Sequence, residues 1–80
     1  MAYAKVRCDL GDPYVKKWLD GLADKGVRFF LNSEGVDLIA GQFMVCPNGA
    51  IMACHEDKGT RFIDYEIPLG ITCKNHVIID

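Results

Sequence analysis

Only one stretch of this chain carries the 3.6-residue period of a helix. In "GDPYVKKWLDGLADKG" Val15, Trp18, Leu19 and Leu22 recur at i, i+3, i+4 and i+7 and make one apolar stripe. Asp12 is an N-cap residue type, Pro13 suits the first helical position, and Gly26 suits the C-terminal stop after Lys25. Gly21 costs about 1 kcal/mol in the helix interior and is expected to permit close approach to a sheet. A single helix can cover one face of one sheet, so everything else in the chain must be arranged around that shortage.

The rest alternates. In "AYAKVRCDL" Ala2, Ala4, Val6, Cys8 and Leu10 share one face, opposite Tyr3, Lys5, Arg7 and Asp9, as in a half-buried strand. After the helix come "VRFFLN", the turn "SEG" and the longer run "VDLIAGQFMVC", which Gly41 interrupts as a bulge or bend. Asn48-Gly49 is a strong short hairpin signal, and Lys58-Gly59 reads as a second turn. Residues 60–67 return as a strand. Pro68 and Gly70 break it, and "ITCKNHVIID" supplies the last strand or two short ones. The expected fold is α+β. One helix in the N-terminal half packs on a mostly antiparallel meander sheet of about five to six strands, in the order β-α-β-β-β-β-β.

Eighty residues make one domain, residues 1–80, with no repeat or linker. Hydrophobic residues are 50% and charged residues 25%, which is globular composition. The net charge of −2 is dispersed and leaves no basic footprint, so a nucleic-acid partner is not expected. No apolar stretch reads as a membrane span, and the N-terminus has no signal-peptide pattern, so a cytoplasmic location and reduced thiols are expected.

Taking Asn48-Gly49 and Lys58-Gly59 as two-residue loops fixes a register. Cys46 then faces Ile51, Phe43 faces Cys54 and His55 faces Phe62. Ala50, Met52, Cys54, Ile63, Tyr65 and Ile67 are expected to meet the helix. Met44, Cys46, Ile51, Ala53 and Phe62 fall on the far face, among His55, Asp64 and Glu66, with Phe30 joining them. Cys46 and Cys54 point to opposite sides, which forbids a shared metal or a disulfide between them.

The spacing that could hold zinc is confined to Cys46, His55, Cys73 and His76. It lacks the paired C-x-x-C knuckles of structural sites, so no metal or other cofactor is expected. Cys46, His55 and Asp64 form the one thiol–histidine–carboxylate set. No Gly-rich loop or helix N-terminus supplies an oxyanion site beside it, so the chain is read as a non-enzyme.

The far face is the feature that bears on function. An antiparallel sheet usually turns a polar face to water, and this one carries Phe, Met and Ile rimmed by charge. The reading is a small protein-interaction module of adaptor or inhibitor type. Its interface is Phe30, Met44, Ile51, Phe62, His55 and Asp64, used for homodimerisation or for binding a larger protein. The alternatives are a small-ligand binder, with a pocket between helix and sheet or in a dimer groove, and a cysteine- or zinc-dependent enzyme.

Overall fold

The computed structural model describes residues 2–57 and 61–79, with backbone alone for Ala2, Ala40, His55, Glu56, Asp57 and Arg61. The elements in order are β1 (Ala2–Arg7), α1 (Pro13–Asp24), β2 (Phe29–Asn32), β3 (Gly35–Ala40), β4 (Gln42–Val45), β5 (Ile51–Asp57), β6 (Arg61–Ile67), α2 (Leu69–Lys74) and β7 (His76–Ile79). The fold is α+β, and every strand pair is antiparallel.

Both ends of α1 are held by the residues that mark them. The Asp12 carboxylate accepts from the Tyr14 N–H at 2.8 Å. At the other end Gly26 takes φ +79. The Gly26 N–H reaches the Ala23 carbonyl and the Val27 N–H the Leu22 carbonyl, each at 3.0 Å. This is a Schellman closure, and its usual apolar contact joins two buried residues, Val27 and Leu22. Val15, Leu19 and Leu22 are the buried stripe. Trp18 is half-buried against the core, and its indole N–H donates to the Glu66 carbonyl of β6 at 2.8 Å. Gly21 does not serve close packing, because a Cβ built there meets nothing within 4 Å.

The strands divide into two sheets, β2-β3-β1-β7 (sheet A) and β4-β5-β6 (sheet B). The chain crosses between them at Gly41. The Gly41 N–H bonds the Cys54 carbonyl at 2.9 Å while Gln42 also stands opposite Cys54. Two residues against one is a bulge, which bends the long alternating run and hands it from one sheet to the other. Ala4, Val6, Val36 and Leu38 of sheet A, Ile51, Ala53, Ile63, Tyr65 and Ile67 of sheet B, the α1 stripe and Ile71 of α2 form one core. The buried Tyr65 hydroxyl donates across it to the Ile39 carbonyl at 3.3 Å, and burial pushes the phenol up to about 12.

The α+β class is as expected, but the strands form two sheets where one meander sheet of about five to six strands was expected, and two further details differ from the sequence reading. Residues 69–74 are helical, with the Ile71 and Thr72 N–H groups on the Pro68 carbonyl, where a break at Pro68 and Gly70 and a strand from Ile71 were expected. Proline as the cap residue starts the turn, and six residues are too few for a period to show. The hairpins are also each one residue longer. Cys46 pairs with Ala50 through the Cys46 N–H to Ala50 carbonyl bond of 2.7 Å, and the Gly49 N–H returns to the Cys46 carbonyl at 2.9 Å. Pro47 thus sits at the second position of a four-residue turn, and Gly49 follows at φ +91. Asp57 pairs with Arg61, with residues 58–60 outside the described residues.

Those two shifts cancel for β4 and β6 and turn over only the strand between them. Ile51 and Ala53 therefore face inward with Ile63, Tyr65 and Ile67, whereas Met52 and Cys54 face outward with Met44 and Phe62.

Candidate protein-docking surface

The outer face of sheet B is laid out by its register. Met44, Met52 and Glu66 form one cross-strand row, and Gln42, Cys54 and Asp64 form the next. Phe62 lies one row further along β6, opposite the backbone of Glu56. Met44 and Phe62 are 63% and 69% exposed, values that for side chains of this size describe a surface without cover. Met52 and Cys54 are half-buried between them.

The face is shallowly concave. An open depression of about 310 Å³ is lined by Gln42, Met44, Met52, Cys54 and Asp64. A second, of about 240 Å³, continues from Gln42 and Cys54 to Gly41 and Phe62. Its described charged groups are Asp64 and Glu66, both on β6 and both exposed. The chemistry available is therefore an apolar, sulfur-rich floor with an acidic margin along one strand. Methionine is flexible and polarisable, so such a floor adapts to the shape laid on it.

Of the residues picked out from the sequence, Met44, Phe62 and Asp64 come together here. Ile51 does not. It is 7% exposed and belongs to the core, because the hairpin loop holds three residues rather than two. Phe30 is 54% exposed but lies on β2 of sheet A, since the bulge at Gly41 separates the two sheets. His55 pairs with Ile63 along the backbone, and its side chain is outside the described residues. Missing from the reading were Met52 and Cys54. The available signal was Pro47, which has no N–H to close the two-residue loop assumed for Asn48-Gly49.

Cys46 is half-buried at the mouth of the 46–50 hairpin, Cys73 is exposed on α2, and His76 is exposed at the start of β7. Among the described residues no three Cys, His, Asp or Glu side chains gather as metal ligands. Cys46 stands at the level of Ala50 and Asp64 at that of Cys54, so about 13 Å of strand separates them. The thiol–histidine–carboxylate set is not assembled by this register. Cys8, half-buried beside β1, has its thiol pushed up by burial and then by the charges of Asp9 and Asp12, which suppresses the reactive thiolate.

No helix among the described residues is long and apolar enough to cross a membrane. No protein-family model, no curated protein and no solved structure matches the chain.

Proposed function

We propose that this chain is a small, non-enzymatic interaction module whose working element is the outer face of sheet B. The observation that carries the reading is the exposure of Met44 and Phe62, 63% and 69%, on one face with Met52 and Cys54 between them. Leaving large apolar side chains wet forgoes on the order of 1.5 to 3 kcal/mol each relative to burial. Grouped apolar surface of this kind is the usual mark of a protein contact.

The margin narrows the partner's chemistry. With Asp64 and Glu66 along β6, the complementary surface places apolar side chains over Met44, Met52 and Phe62 and basic ones beside β6. The partner in this reading is a protein, either a larger one or a second copy.

The test is affinity capture from the native host with tagged wild type, Phe62→Asp and Lys16→Asp, each with its melting temperature. We expect a defined partner that Phe62→Asp loses and Lys16→Asp retains, with melting unchanged in both variants. Capture that survives Phe62→Asp would remove the outer face from the account.

A further inference from the structure

The edge of sheet B says how a second copy would join it, and that inference rests on sheet B being the interaction element. In the pair β4–β5 the Cys46 N–H bonds the Ala50 carbonyl. Antiparallel ladders alternate, so Met44 and Gln42 also turn their main-chain groups toward β5, while Phe43 and Val45 turn theirs away. β4 is the outermost strand of its sheet. The N–H and C=O groups of Phe43 and Val45 thus line an open edge. The strand reads "QFMV", with no charge and no proline, and so lacks the devices that normally blunt an edge. On the opposite edge Trp18 of α1 occupies one outward group, the Glu66 carbonyl of β6.

We propose that two copies of this chain pair antiparallel through β4 about a twofold axis at Met44, merging the two B sheets into one. This register satisfies every outward group: Phe43 exchanges both main-chain hydrogen bonds with Val45 of the other copy, and Val45 does the same with its Phe43. It also sets Met44 beside its own copy as a non-hydrogen-bonded pair, where side chains stand closest. The outer row then runs Met52, Met44, Met44, Met52 without interruption. Charge favours a second copy as the occupant, since residues 38–55 carry no formal charge and two copies meeting at β4 bring no like charges together.

Sheet A has two edges: β7, where Val77 and Ile78 are half-buried, and the competing β2, with Phe30 and Leu31 exposed. Its outer row passes from Phe30 directly to Asp37, so pairing there would place two carboxylates close behind the joined phenylalanines.

The experiment is disulfide trapping in a Cys73→Ser background, comparing Met44→Cys, Phe30→Cys and Phe62→Cys under mild oxidation on non-reducing gels. Residues directly opposite in a non-hydrogen-bonded pair have Cα atoms about 4.5 Å apart, within disulfide range. The expected result is near-complete dimer for Met44→Cys and monomer for the other two. Light scattering should give twice the chain mass for wild type at high micromolar concentration. Val45→Pro should return it to one chain mass at an unchanged melting temperature, because its lost N–H points away from β5. A wild type of one chain mass overturns edge pairing and leaves the outer-face reading standing on Phe62→Asp. Preferential trapping at Phe30 assigns dimerisation to sheet A, and at Phe62 to a face-to-face contact; either overturns it.

Discussion

Sheets A and B share a core but treat water differently. On the outer face of sheet A, Asp37 stands opposite Lys5, and Phe30, opposite Asp37, flanks that row. Nearby, Arg7 reaches Glu34 at 3.6 Å. Both partners of that ion pair are more than half exposed, so it contributes little to stability. The same face also carries Tyr3, Ile39 and Ile78 beside Lys5 and Asp37, so its acids and bases are interspersed with apolar groups. On the outer face of sheet B the corresponding centre is Met44 and Met52, and the described charges are acidic and confined to β6. Sheet A thus mixes both signs with its apolar groups, whereas the described part of sheet B has an apolar floor with acidic groups along β6.

The contrast is sharpest within β6, where Tyr65 is fully buried and Phe62 is 69% exposed. Tyr65→Ala should cost about 3 to 5 kcal/mol in urea unfolding, as aromatic-to-alanine changes in cores do. Phe62→Ala should stay within about 0.5 kcal/mol. Comparable losses for the two would mean that sheet B has no outer face as described.

Within β5 the same logic tests the register. Ile51→Ala should cost about 2 to 5 kcal/mol, and the adjacent Met52→Ala distinctly less. The reverse order would restore the two-residue loop and return Ile51 to the surface.

Alkaline pH should loosen the joint between the sheets. The Tyr65 phenol is raised from 10.0 to about 12 in the folded chain. Below pH 10 it is protonated in both states and contributes no pH dependence. Between pH 10 and about 12 only the unfolded chain releases the proton, so stability falls as pH rises, by roughly 2 to 3 kcal/mol over that window. Tyr65→Phe should flatten this part of the curve in pH-dependent thermal melts. An unchanged slope would place the alkaline sensitivity elsewhere.

The smallest effect concerns α1, which serves β6 through Trp18. Gly21→Ala should raise stability by up to about 1 kcal/mol, because the methyl group meets no neighbour. A lower melting temperature would show that the side of the helix bearing Gly21 is packed.

Local chemistry was legible wherever one residue decides one bond. Asp12, Pro13 and Gly26 marked the ends of α1 to within a residue, and the assumed register put Phe62 and Met44 outside because its two loop errors cancel. The failures arose where two residue signals competed. Asn48-Gly49 favours a two-residue loop, but Pro47 cannot donate the hydrogen bond that such a loop requires, and proline prevailed. The inversion of β5 followed from that single N–H, compounded by the matching extra residue in the next turn. Gly41 was recognised as a break, but whether a bulge bends one sheet or divides two depends on partners far along the chain. Here β1 and β2 hold β3 while β5 holds β4. The short helix 69–74 lies below the length at which periodicity speaks.

The central claim is that the outer face of sheet B, and not that of sheet A, receives a protein. Site-specific photo-crosslinking in the native host measures this directly, with the crosslinker placed at position 62 in one variant and at position 5 in another. A discrete adduct from position 62, with none from position 5, is the predicted result. Adducts from position 5 alone, or equally from both, would contradict it.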